Sequence, residues 1–326
     1  MHKNNISQAI LHITYACTHH CPMCYANAGE NLVQPPVTQL FHVADRLADL
    51  GIKDITLVGG DPASYKDILE LVRYLKKYDM KISVLSNTLD FIPENQAVLN
   101  YIDTFEATIH HSIKEKHDSF CKCPGAYEKI IENLKYFSSQ KKRVGLAINL
   151  IPFNYDVIYD SIKNVILNGI IIDHVIFQRI IQLGRAAGKN QYELNNTMLK
   201  SIMLQIEKAE KDYDLNIIFE DPLPLCSIEA KYGKYMHPCD WGITKVSVDF
   251  NGNMSRCGAD VFHSFGSIFD ESIIEKWNND SLLNRFRKKD YLPSKCKSCN
   301  HLTNCGGGCP ISHNPDEGFT LDYLAE

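Results

Sequence analysis

Ala9-Ile-Leu-His-Ile-Thr-Tyr15 runs, one alanine later, into Cys17-Thr-His-His-Cys21-Pro-Met-Cys24. The first segment is apolar and rich in strand-forming residues, so it predicts a strand over 8–15 with the cysteines in the loop at its carboxyl end. Three thiols spaced three and then two residues apart suit a [4Fe–4S] cluster, because soft sulfur ligands hold iron and one tight loop brings them together. Three ligands leave one corner of a four-iron cube open. A structural zinc or an electron-transfer site is normally closed by a fourth ligand, so the vacancy itself points to chemistry at iron.

Outward from this loop, strand-like segments at 54–58, 81–85, 104–109, 143–151 and 174–177 alternate with helix-like ones. The helical stripes are Leu40, Val43, Ala44 and Leu47 after a cap at Thr38; Ile68, Leu69, Val72 and Leu75 after a Ser64–Asp67 capping pair; a short helix at 94–101; Tyr127, Ile130, Ile131 and Leu134; a helix over 156–167; and Leu199, Ile202, Met203 and Ile206. Such alternation predicts parallel βα units up to about residue 215. A bridging segment, 216–238, and a cysteine-rich module, 239–326, are expected to follow.

The chain has 326 residues and a net charge of −5, which gives no electrostatic reason to expect nucleic acid. No apolar run reaches the ~18 residues of a membrane span, and the lead before the first strand is too short for a secretory signal. The expected location is the cytoplasm. Twelve cysteines in a reducing compartment point to metal rather than disulfides.

In parallel α/β folds the chemistry gathers where strands end. After the 54–58 strand comes Gly59-Gly60-Asp61-Pro62, whose glycines permit close backbone approach. Ser86-Asn87-Thr88 follows the next strand and can hydrogen-bond a ribose or carboxylate. His110-His111-Ser112 follows 104–109, and His117-Asp118 lies just beyond, read as ties for that loop; Cys121 and Cys123 are read as bystanders. Asn149 and Gln178-Arg179 stand where side chains point into a strand-end mouth, the arginine suited to a carboxylate.

These residues resemble the radical S-adenosylmethionine (SAM) enzymes, whose signature is Cys-x3-Cys-x2-Cys after the first strand of a partial (β/α)6 barrel of the TIM type. The resemblance implies that Cys17, Cys21 and Cys24 hold a [4Fe–4S] cluster whose open iron chelates SAM. It also implies that Gly59, Gly60 and Asp61, Ser86, Asn87, His110, Asn149 and Arg179 face SAM. Asp61 stands where the family more usually has glutamate. Reductive cleavage of SAM would give a 5′-deoxyadenosyl radical that abstracts a substrate hydrogen, with electrons from a flavodoxin- or ferredoxin-type donor. Leu183-Gly-Arg-Ala resembles a loop of members with further clusters.

Cys239, Gly252 and Cys257, then Cys296-x2-Cys299-x5-Cys305-x3-Cys309, resemble the family's C-terminal SPASM extension, which holds auxiliary [4Fe–4S] clusters; alone, the field would also suit a zinc ribbon. Carried over by position, Cys226, Cys239, Cys257 and Cys309 would hold one cluster, and Cys296, Cys299 and Cys305 a second. No cysteine follows Cys309; Ala325 stands at the family's last one, leaving Asp322, His313, Asp316 or Glu326 to close the second cluster unless it is open or missing. Gly252-Asn253 predicts a hairpin turn, and Trp277 an anchor on a short helix. The resemblance implies an oxidoreductase that matures a ribosomally made peptide, with or without a separate leader-recognition protein. The alternatives are an oxidoreductase of a tetrapyrrole, sugar or quinone precursor, and a non-catalytic Fe–S or zinc module.

Overall fold

The computed structural model describes residues 6–30, 32, 34–91, 96–260, 264–312 and 318–325. The strands are β1 Gln8–Thr14, β2 Asp54–Gly59, β3 Lys81–Ser86, β4 Thr104–Thr108, β5 Arg143–Leu150, β6 His174–Arg179, β7 Asn216–Phe219, β8 Lys245–Asp249, β9 Asn253–Ser255 and β10 Ser264–Ser267. The helices are α1 Val37–Asp49, α2 Ile68–Lys76, α3 Lys114–Cys121, α4 Ala126–Ser139, α5 Ile158–Leu167, α6 Asn196–Tyr213, α7 Ile273–Asn279, α8 Ser281–Arg287, α9 Ser294–Lys297 and α10 Leu302–Cys305. His313, Asp316 and Glu326 lie outside the described residues.

The chain forms two compact units that do not follow its sequence blocks. The first takes Met1–Thr18, Ala26–Phe105 and Asp240–Asp290; the second takes His19–Tyr25, Glu106–Cys239 and Tyr291–Glu326. β4 carries the chain from the first to the second.

In the first unit the strands lie in the order β10-β9-β8-β1-β2-β3. β1 is parallel to β2, with Gln8 opposite Asp54, and on its other side parallel to β8, with Gln8 opposite Lys245. A strand flanked on both edges and covered on both faces should be apolar throughout. Ala9, Leu11 and Ile13 are buried, and the strand departs from that pattern at His12 and Thr14, which are polar and buried too. α1 buries Leu40, Val43, Ala44 and Leu47. The expected hairpin forms as β8 and β9 around Gly252, and Trp277 of α7 is fully buried.

In the second unit β5, β6 and β7 are parallel, with Asn149 opposite Gln178 and His174 opposite Asn216. β7 corrects the expectation that the βα rhythm stops near 216: one more parallel strand follows α6, only four residues long and thus too short to show a period. α3 was not foreseen either, because only His117 and Cys121 of its eight residues are buried and no apolar stripe marks it. Two expected caps do not form. α1 begins at Val37 behind Pro36, ahead of Thr38, and Ser64 gives its hydroxyl to Asp90 instead of capping α2. The α/β class and the parallel strands agree with the sequence reading.

Candidate functional site

The cysteine segment crosses from the first unit to the second between Thr18 and His19. In the first unit, β1 ends against Gly59-Gly60. The amide of Gly60 donates to the carbonyl of Thr14 and that of Asp61 to Ala16, each at 2.7 Å. A Cβ on Gly59 would lie 2.0 Å from the Thr14 oxygen and one on Gly60 2.2 Å from the Ala16 oxygen. The glycines are therefore required by the backbone that leads into Cys17.

Asp61 is buried and turns toward the end of β3. Its Oδ1 accepts from the Ser86 hydroxyl at 2.5 Å and the Asn87 amide at 3.0 Å. Its Oδ2 is buried and has no hydrogen-bond partner. Burial pushes this carboxyl up to about 7, against the pull of the Ser86 and Asn87 bonds. A carboxylate oxygen left bare in a buried site is a place for a cationic or N–H donor of a ligand. The Asn87 side-chain amide points to Cys17 Sγ at 3.7 Å and donates to the Thr18 hydroxyl at 3.1 Å.

In the second unit, Cys21 Sγ lies 3.6 Å from His110 Nε2. His110 is buried, and desolvation, followed by the charges of His117 and His19, holds its pKa well below the usual imidazole value. A neutral ring carries one N–H, and the buried Nδ1 finds no partner, so the Nε2–H tautomer facing Cys21 satisfies the ring best. His110 thus contacts a thiol rather than presenting an open edge. Its backbone amide donates to His117 Nδ1, and Asp118 accepts from the amides of Gly125 and Tyr127, so this pair ties down the loop as read. Burial pushes the Cys121 thiol up to about 12, an inert group.

The Gly184-Arg185 turn after β6 fastens the cysteine segment, which the sequence did not reveal. The Arg185 amide donates to the Cys24 carbonyl at 2.9 Å, and its Nε to the Cys21 carbonyl at 2.7 Å. Gly184 has φ +54°, and a Cβ there would lie 2.3 Å from the Tyr25 oxygen. Residues after β1, β4 and β5 also line a cavity of about 450 Å³, formed by Pro22, Glu115, Lys116, Ser119, Phe120, Lys122 and Phe153. Phe120 and Phe153 stack there, centroids 4.8 Å apart.

Arg179 is placed differently from the sequence expectation. Its guanidinium forms a two-pronged bond to Asp322, at 3.1 and 2.5 Å, and also reaches the Pro222 carbonyl. Both side chains of the pair are buried. Asp322 Oδ2 additionally accepts from the Cys309 amide at 2.9 Å and Oδ1 from Leu324 at 3.0 Å. Arg179 is thus committed to a carboxylate of the chain itself, and Asp322, expected as a metal ligand, to a guanidinium and two amides. Asn149 is half-buried on β5 and its carbonyl accepts from Asn154.

Among the described residues no cysteine forms a disulfide. Among the described residues no three His, Cys, Asp or Glu side chains converge on the point a single ion would occupy. Cys17 and Cys21 each face an N–H donor, as sulfurs of a cluster-bound thiolate do, so this donor set fits an iron–sulfur group. In the second unit, the Leu225 amide donates to Cys305 Sγ at 3.3 Å and the His301 amide to Cys299 Sγ at 3.4 Å. In the first, Arg256 reaches both Cys257 Sγ, at 3.4 Å, and Asp260.

The family model of the radical SAM superfamily matches residues 11–165, and that of the SPASM iron–sulfur cluster-binding domain residues 239–300. A PqqA peptide cyclase of Rhizobium meliloti is 22% identical over 91% of this chain and 80% of its own. An AdoMet-dependent heme synthase of Methanosarcina barkeri is 21% identical over 96% of this chain and 93% of its own. Among solved structures, Streptococcus suis SuiB bound to precursor peptide SuiA superposes with a TM-score of 0.77 at 19% identity, covering 99% of this chain and 77% of that one. With its three-cysteine segment behind β1, its bare Asp61 oxygen behind β2 and its C-terminal cysteine field, the chain belongs to the radical SAM enzymes that carry a SPASM domain.

Proposed function

We propose that this radical SAM oxidoreductase acts on a ribosomally made peptide, oxidising or crosslinking a side chain. The observation that carries the reading is similarity over nine-tenths of the chain to a PqqA peptide cyclase, with the fold of an enzyme bound to its precursor peptide in support. Cys17, Cys21 and Cys24 would hold the SAM-binding [4Fe–4S] cluster. When bound, cluster and SAM supply the 5′-deoxyadenosyl radical that abstracts a substrate hydrogen. The chain's own residues do the rest. Asp61 Oδ2 would take an N–H of the SAM amino group, Ser86 and Asn87 hold that carboxylate in place, and Asn87 and His110 direct N–H groups at the Cys17 and Cys21 sulfurs. The auxiliary clusters would accept the electron that leaves an oxidised substrate, and an external flavodoxin- or ferredoxin-type protein in the cytoplasm would supply the reducing electron.

The cavity at Pro22, Phe120 and Phe153 suits a peptide: a stacked aromatic shelf, flanked by Lys116, Lys122 and Glu115, gives apolar contact with charge around it. The test is incubation of the reconstituted enzyme with SAM, reductant and candidate precursor peptides taken from short reading frames sought beside its gene. Mass spectrometry should show loss of hydrogen from the peptide, and Phe153→Ala should raise KM for the peptide while leaving peptide-independent SAM cleavage intact. The heme synthase relative favours a second reading, a tetrapyrrole substrate. Turnover of a tetrapyrrole precursor with no change to any peptide would replace the first reading by that one.

A further inference from the structure

The sequence pattern assigns Cys226 to the cluster of Cys239, Cys257 and Cys309, and leaves the cluster of Cys296, Cys299 and Cys305 one ligand short. The second unit arranges these groups otherwise. Cys226 lies in the turn Leu225–Ser227, and the amide of its neighbour Leu225 donates to Cys305 Sγ at 3.3 Å, which sets this turn against the end of α10. Cys296, Cys299 and Cys305 share one short segment, in which the Cys299 amide donates to the Cys296 carbonyl at 3.0 Å, and the turn that carries Cys226 meets this segment at Cys305.

Among the described residues, the other positions the sequence offered for the fourth corner are occupied or lack a donor. Asp322 has both oxygens bound, to Arg179 and to the amides of Cys309 and Leu324, within a buried pair. Ala325 sits close by, its carbonyl accepting from Lys295 next to Cys296, but its methyl group ligates nothing.

We propose that Cys226 closes the auxiliary cluster held by Cys296, Cys299 and Cys305, instead of serving the cluster to which the sequence pattern assigns it. The inference rests on the chain holding auxiliary clusters, and is independent of the substrate. Thiolate is a soft donor that suits iron, and Cys226 is exposed, so it can take a cluster without unpacking a core.

The test is iron and acid-labile sulfide per chain, with EPR and Mössbauer spectra, on the anaerobically reconstituted full chain. Variants are Cys226→Ala, Cys299→Ala, Cys257→Ala and the doubles Cys226→Ala/Cys299→Ala and Cys226→Ala/Cys257→Ala. Cys226→Ala should lose iron and the same spectral component as Cys299→Ala; the double with Cys299→Ala should lose no more than Cys299→Ala alone, and the double with Cys257→Ala should lose more than Cys257→Ala alone. Cys226→Ser should keep the iron with an altered spectrum, which separates loss of a ligand from loss of the fold. Unchanged iron and spectra in Cys226→Ala overturn the assignment, as does a loss that adds to that of Cys299→Ala but not to that of Cys257→Ala. Wild type with only about four irons per chain overturns it too, and in that case the auxiliary-cluster reading falls with it.

Discussion

Asp61 shows how a single side chain carries both cost and function. Its carboxyl holds its proton to about pH 7 in the folded chain and loses it near the ordinary carboxylate pKa when unfolded, so between these values the folded state binds more protons. Stability contributed at this position therefore falls as pH rises from about 4 to 7 and is level above. In cluster-loaded chain without SAM, Asp61→Asn should lose less of its urea midpoint than wild type between pH 5 and pH 8, while binding SAM more weakly. Equal pH slopes in the two proteins would argue against a buried, proton-holding Asp61. Removing the charge of Asp322 has the opposite sign, because it strands the buried Arg179 guanidinium; Asp322→Asn should cost roughly 3–5 kcal/mol in denaturant unfolding. A loss below about 1 kcal/mol would mean that the pair is solvated. At this scale the sequence was partly legible. The cysteines and the Gly-Gly-Asp turn were placed at strand ends from the sequence, and β1 does end just before the cysteines and β2 on the first glycine of the turn, whereas the partner of Arg179 lies 143 residues away and no local pattern marks it.

Among the elements, the turn after β6 holds the part of the cysteine segment that lies in the second unit. Arg185 holds the Cys21 and Cys24 carbonyls, and Gly184 must remain without a side chain for it to approach. Gly184→Ala should displace Cys24, so the reconstituted variant should lose SAM-binding cluster iron and 5′-deoxyadenosine formation while retaining auxiliary-cluster signals. Full SAM cleavage in this variant would show that the turn is not what orders the loop. Element existence was readable where a stripe was long, as in α1, α4 and α6, whose buried residues match the apolar period. It was not readable in α3, a mostly polar helix with only His117 and Cys121 buried, or in β7, four residues long. The Ser64 cap failed as a marker because its hydroxyl is taken by Asp90, 26 residues further along the chain.

For the whole molecule, the order of elements was legible and the way distant segments join them was not. β8 lies beside β1 although more than two hundred residues separate Gln8 from its partner Lys245, and a period-two pattern carries no information about which edge a strand will choose. The same long-range contact splits the C-terminal cysteine field between two compact units, with Cys257 in one and Cys239 and Cys309 in the other. Among the described residues no helix is long and apolar enough to cross a membrane. The central claim, that the N-terminal cysteines hold the cluster at which SAM is cleaved, is tested most directly by 5′-deoxyadenosine formation and iron content in wild type and in the Cys17/Cys21/Cys24→Ala triple variant. The expected result is SAM cleavage by wild type and none by the triple variant, which keeps its auxiliary iron. SAM cleavage that survives the triple substitution, or zinc in place of iron in the wild type, would contradict it.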